Sequence, residues 1–238
     1  MQILVTHVTR MAHGFCCVAG LSEREHRHVR PVAGQRLHTG LLAPPGPFDM
    51  GAVVELGRTH PAGARPPEVE DALFAPERAR RAGYVSPSRL WSILEETAAE
   101  SLYDIFGPSL EHHQNRRASV PLLAGEASLG TYLPIASCAL AVRTTGDSAS
   151  LRVVLASEGL DLSLTDARYY EDEFRAPAMD RVRLATKAID DGTPVILGVG
   201  LTRPFAPADG QSERHWLQVN ALHLASNPGL RLRADRLA

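Results

Sequence analysis

Hydrophobic and polar positions along this chain change period twice, and the changes divide it. In the first third, short apolar runs rich in Val, Ile, Leu and Phe are separated by Gly, Pro and polar clusters. Gln2 to Thr9, Phe15 to Leu21, His28 to Ala33 and Gly51 to Gly57 are predicted strands of a small barrel or meander. Gly34 to Met50 between them carries Pro44, Pro45, Gly46 and Pro47, too much proline for an inner strand, and reads as a loop. From Pro87 to Phe106 the period becomes helical. Leu90, Leu94, Ala98, Leu102 and Phe106 recur every four residues, and Trp91, Ile93 and Ile105 widen the stripe. Ser86 as N-cap, Pro87 at the first position and Gly107-Pro108 at the end bound one long helix, with Glu95, Glu96 and Glu100 on its solvated side.

Strand-like runs then resume at Leu129 to Leu133, Ser137 to Thr144, Ser150 to Ser157 and Leu160 to Leu164. The Thr145-Gly146-Asp147 and Glu158-Gly159 turns predict a hairpin at each break. A second helix is expected from Arg181 to Ile189, capped by Asp180, with Val182, Ala185 and Ile189 inward and Gly192 ending it. The last strand pair flanks a loop within Val195 to Leu224. Its second run alternates, with Leu217, Val219 and Ala221 on one parity and Arg214, Trp216, Gln218 and Asn220 on the other, the period of a half-buried strand. An indole among an arginine, a glutamine and an asparagine offers a stacking plate ringed by donors, which suits a planar polar ligand such as a nucleobase. The alternative is a tryptophan that closes a sheet under a covering loop.

Composition narrows the classes. At 238 residues the chain holds one large or two small domains, and divisions at 1–116 and 117–238 fit the change of period. Its balance of 44% hydrophobic and 22% charged residues is that of a soluble globular protein, and no apolar run has the length of a membrane span. The N-terminus reads as a first strand and not a signal peptide, and the odd set Cys16, Cys17 and Cys138 fits reduced thiols, so cytoplasmic residence without a membrane partner is expected. A net charge of −2 argues against coating duplex DNA through a general field, so any nucleic-acid site must be local. Lys187 is the only lysine, a bias that discounts arginine counting; only arginines beside aromatics or turns carry weight.

No metal or other cofactor is expected. His7, His13, Cys16, Cys17, His26 and His28 are close in sequence, but adjacent cysteines on a strand face opposite ways and no CxxC pair is present. Phosphate loops, GxSxG elbows and HExxH pairs are absent. Asp166 and His215, with Arg203 nearby, are weak candidates for an acid and a base, set against a plain turn cap at Thr165-Asp166.

Several short segments carry a resemblance in order: CCVAG at Cys16 to Gly20, HVRPV at His28 to Val32, PEVED at Pro67 to Asp71, LSLTDAR at Leu162 to Arg168, then GLTRPF and HWLQVNALHL. Together they resemble the bacterial dual OB-fold domain proteins over nearly the whole chain. The resemblance implies a mainly β fold of α+β type: two OB-fold-like barrels in tandem with the long helix as an insert. It also implies a connection to nucleic-acid metabolism or prokaryotic defence. OB barrels bind single strands through one strand face and its bordering loops. The expected function is therefore binding of a nucleotide or single-stranded nucleic acid, DNA or RNA, by a recognition subunit that works with other proteins. Arg30, Arg203, Phe205, Arg214, Trp216 and Gln218 are the expected binding residues. Trp216 would stack on a base, Arg203 and Arg214 would contact phosphate, and Gln218 would read a base edge or sugar hydroxyl. Two alternatives stand beside it: a metal-dependent or acid/base hydrolase of nucleotides or nucleic acid, with Asp166 and His215 as acid and base, and a protein-interaction module that buries the Leu90 to Phe106 helix and the Trp216 face against a partner.

Overall fold

A computed structural model describes residues 1–63, 65–136, 138–146, 148–171, 174–207, 210 and 212–232; Ser137 and Asp147, assigned above to a strand and a turn, lie outside the described residues. The first sheet contains β1 (Gln2–Arg10), β2 (Phe15–Ser22), β3 (His28–Val32), β4 (Leu37–His38), β5 (Ala52–Glu55), β6 (His60–Pro61), β7 (Asp71–Leu73) and β8 (Arg80–Tyr84). Its order is β6-β7-β3-β2-β1-β5-β8, with β4 on β2, and the pairing is antiparallel except between β3 and β7. The predicted Gly34 to Met50 loop is confirmed as a connection that holds only the two-residue β4 and one 3-10 turn.

Among the described residues the α-helices are α1 (Pro87–Thr97), α2 (Leu102–Phe106) and α3 (Met179–Asp190). The second half also holds β9 (Glu111–His112), β10 (Ala118–Val120), β11 (Leu129–Tyr132), β12 (Cys138–Thr145), β13 (Ser148–Leu155), β14 (Leu160–Ser163), β15 (Val195–Leu201) and β16 (His215–Leu224). One sheet runs β11-β15-β16-β10-β9 and another β12-β13-β14, and a bridge between Leu164 and Val219 links them.

The mainly β character stands, but no sheet closes into a barrel among the described residues. In the first half the end strands, β6 and β8, do not pair with each other. Among the described residues the apolar core falls into three clusters. One apolar cluster, including Ile3, Val18, Phe48 and Val54, is drawn from residues 3–79 plus Ala167. A second, including Phe106, Tyr132, Val153, Leu197 and Leu222, is drawn from residues 102–224. A third joins Leu4 and Leu21 to Leu90, Leu94, Ile196 and Ala221.

These clusters explain why the single long helix is not formed. Leu90, Ile93 and Leu94 belong to the third cluster, whereas Leu102, Ile105 and Phe106 belong to the second. One straight helix cannot serve both, so the chain turns out at Ala98. Thr97 Oγ1 donates back to the Ile93 and Leu94 carbonyls, Ala99 forms a bridge with Tyr132, and Ser101 caps α2 by accepting from the Tyr103 N–H. Ser86 caps α1 as expected, accepting from the Arg89 N–H. Asp180 does not cap α3; the N-cap position is Ala178, and Asp180 sits in the first turn, paired with Arg183.

The terminal strand pair also departs from simple alternation. Val199 opposes Val219 and Gly198 opposes Ala221, so Asn220 is an extra residue in β16, a β-bulge. The bulge resets the pleat. Leu217 and Val219 before it and Leu222 and Leu224 after it all join the second cluster, while Ala221 turns toward Leu4 and Leu21 of the first half. The strand is therefore covered on both faces, not half-buried.

Candidate functional site

Where β2 and β3 of the first half meet β15 and β16 of the second, a groove of about 710 Å³ opens. Arg30 and Cys17 line it from the first half, Arg203, Phe205 and Gln218 from the second, and Arg10 at the end of β1. A smaller lobe of about 300 Å³ shares Arg10, Thr202, Phe205 and Gln218 with it and continues toward Trp216. Four of the six expected binding residues thus converge on one space. Phe205 offers the open aromatic surface there, with 45% of its area exposed.

Two of the arginines are held by acids of the PEVED segment. Arg30 Nε donates to Asp71 Oδ1, and both side chains are buried. Arg203 Nη2 donates to Asp71 Oδ2 at 2.7 Å and its Nη1 pairs with Glu68, with half of the side chain still exposed. Glu70, between those acids, anchors the segment to the second half: its oxygens accept from the Ser128 and Leu129 N–H groups and from Ser128 Oγ. Two cations against two carboxylates make this wall close to neutral. Arg10 is different. Its Nη1 donates to the Phe174 carbonyl at 3.2 Å, its guanidinium carbon lies 3.9 Å from the centre of the Tyr170 ring, and its buried Nε has no hydrogen-bond partner. Burial pushes the Cys17 thiol up, only partly offset by Arg30 and Arg203, so a protonated side chain faces the groove.

Trp216 is not the open plate expected from its polar parity. It is 5% exposed, its Nε1 donates to the Phe205 carbonyl at 3.1 Å, and its ring packs beside His113 and Phe205 with Arg117 5.2 Å from its centre. An indole covered on these sides supports the groove from behind. Arg214 stands with it, donating to Ser119 Oγ and paired with Glu111, so it is committed within the second half.

The acid and base pairing is also overturned by position. Asp166 is fully buried; it accepts from the Arg168 N–H as a turn cap, from Arg168 Nε and Nη2, and from the Leu222 N–H. His215 is buried seven residues before Leu222 on the same strand, about 23 Å away at the usual rise, with its Nδ1 3.0 Å from the Thr202 carbonyl. The two side chains cannot share a proton-transfer site. The faces assigned to a partner protein are likewise occupied, since Leu90, Leu94, Leu102, Phe106 and Trp216 are all buried within the chain.

Arg10, Arg36, Cys17 and Asn220 line the groove without having been singled out as binding residues. Arg10 had a readable signal: it is the cation that ends the first strand, beside the Met11 to Gly14 turn. Among the described residues no group of three or more His, Cys, Asp or Glu side chains is placed to hold a metal ion. No helix among them is long and apolar enough to cross a membrane.

No curated protein and no solved structure matches the chain. The model of the dual OB-containing domain matches residues 1–222, so the chain belongs to the dual OB-containing domain family.

Proposed function

We propose that this protein binds single-stranded nucleic acid or a nucleotide in the groove between its halves. The observation that carries the reading is the convergence of Arg10, Arg30, Arg203, Phe205 and Gln218, from distant parts of the chain, on one space of about 710 Å³. A half-exposed phenyl ring suits base stacking, a guanidinium on the groove wall suits phosphate, and an amide suits a base edge or sugar hydroxyl. The family supports an OB-type binding role, while the ligand itself is our inference. In this reading the protein is a recognition subunit in nucleic-acid metabolism or defence that works with other proteins; the acid that lines the smaller lobe, Asp161, is committed to Arg143 and Arg152.

Fluorescence anisotropy with labelled single-stranded DNA and RNA tests it. Phe205→Ala is expected to weaken binding by about 1–3 kcal/mol, the usual worth of one base on an aromatic ring, while leaving the thermal midpoint near wild type because the ring is half exposed. Absence of binding to any single strand or mononucleotide overturns the assignment.

A further inference from the structure

A separate cavity of about 950 Å³ shares Arg10 with the groove but includes none of Arg30, Arg203, Phe205 and Gln218. It forms where the Met11 to Gly14 turn and the connection after β4 face the segment that follows Asp166. Its volume is that of a site for one small ligand, roughly 300–1,000 Å³. The inner wall is apolar, since Leu42, Ala43 and Ala167 are buried, and Tyr170 and Phe174 add two rings. These walls are tied down. Tyr170 Oη donates to the Leu164 carbonyl at 2.8 Å, the Phe174 N–H to the Glu171 carbonyl at 2.9 Å, and the Leu232 N–H, beside another lining side chain, to Asp49 Oδ1 at 3.1 Å. A shaped apolar cavity with a small number of polar groups is the usual form of a small-molecule site.

Arg10 sets the polarity of the ligand. Arg30 and Arg203 meet carboxylates of the chain, whereas Arg10 meets a carbonyl through Nη1 and a ring through its face, and its buried Nε has no hydrogen-bond partner. Nε and Nη2 make up the edge on which a carboxylate forms two parallel bonds, and an oxygen that satisfies a buried donor recovers the cost of leaving it bare. One guanidinium balances one carboxylate. A phosphate dianion would bring a second negative charge beside Glu171, and Arg175, the other arginine of the lining, already has a partner in the chain. We propose that this cavity is a binding site for a small organic acid, its flat apolar body against Phe174 and Leu42 and its single carboxylate on Arg10. The proposal is independent of the single-strand reading, because it needs no nucleic acid and no groove residue other than Arg10.

Isothermal titration calorimetry of the full chain with 1-naphthylacetate, its neutral amide, phenyl phosphate and inorganic phosphate tests it. The acid is expected to bind with a Kd of about 0.1–1 mM, as suits a ligand of its size, and the amide at least about tenfold more weakly. Thr39→Trp, which fills the cavity from a half-buried position that the groove does not share, should weaken the acid by at least about tenfold. Glu171→Gln, on the exposed rim, should strengthen it by about two- to fivefold by removing a like charge. An amide that binds as well as the acid, or a phosphate that binds more tightly, overturns the proposal. So does an acid whose affinity falls in Phe205→Ala, outside the cavity, and is unmoved by Glu171→Gln. Comparison of acid with amide uses the wild-type protein alone, so it decides the matter even where Thr39→Trp does not fold, and its failure leaves the groove reading standing.

Discussion

Asp166 and Trp216 show what a residue's neighbours do to its chemistry. In isolation a carboxylate after a strand fits either a turn cap or a general acid; with both oxygens taken by the Arg168 side chain and the Arg168 and Leu222 amides, it is a structural anion. Arg168 is equally enclosed, donating onward to the Leu222 and Leu230 carbonyls. Removing one member of such a pair strands the other charge in a dry interior. Asp166→Ala is therefore expected to lower unfolding stability by about 3–5 kcal/mol in urea titrations, whereas Glu95→Ala on the exposed side of α1 should change it by less than about 0.5 kcal/mol. Trp216 was legible as a strand residue by its alternation, but not its burial. That burial depends on His113 and Arg117, about a hundred positions earlier, which no local period reveals.

Elements whose pattern is set by their own neighbours were legible: β1, β2, β3, β5 and α3 lie within a few residues of the positions their periods predict. Those that serve two cores were not. The stripe from Leu90 to Phe106 has unbroken helical spacing, yet it is divided because its halves face different clusters. The β16 bulge is invisible for a similar reason, since alternation before Asn220 and after it are each regular. Its partner Gly198 shows what the bulge allows. A Cβ there would lie 2.4 Å from His7 Nε2 and 2.9 Å from the Ala221 Cβ, so His7 enters the space that glycine leaves. Gly198→Ala is expected to destabilise the fold by about 1–3 kcal/mol, the usual cost of overpacking. In a His7→Ala background the same change should cost clearly less. Equal costs in both backgrounds, read from urea midpoints, would break the link between the two residues.

At the scale of the whole molecule, the two halves meet over three histidines. His7 Nδ1 bonds Thr6 Oγ1, its ring stands edge-on to His28 at 5.7 Å, His28 Nε2 bonds Thr131 Oγ1, and His223 Nε2 donates to the Thr6 carbonyl. Burial, and then the neighbouring His28, push His7 down to about 3; burial takes His28 to about 4; His223 also falls well below its ordinary value, chiefly through burial. Each therefore binds a proton more readily in the unfolded chain than in the folded one. The neutral rings contribute their full stability above the unfolded value of about 6.5, and that contribution is lost as pH falls from there toward 4 and 3. At pH 5 the fully buried His7 alone accounts for a loss of about 2 kcal/mol. Urea midpoints measured between pH 7.5 and 5 should fall steeply, and His7→Gln should flatten the fall; a level profile would contradict the assignment. The same interface ties segments far apart in sequence. His223 reaches Thr6 across 217 residues, and the Leu232 N–H donates to Asp49 Oδ1 across 183. The consequence is one of timing. At a synthesis rate of about 5–20 residues per second, the Thr6 carbonyl waits about 10–40 s for its partner to be made. During that interval the N-terminal sheet lacks its contacts with β16, so a lesion in β16 bears on the half made earliest.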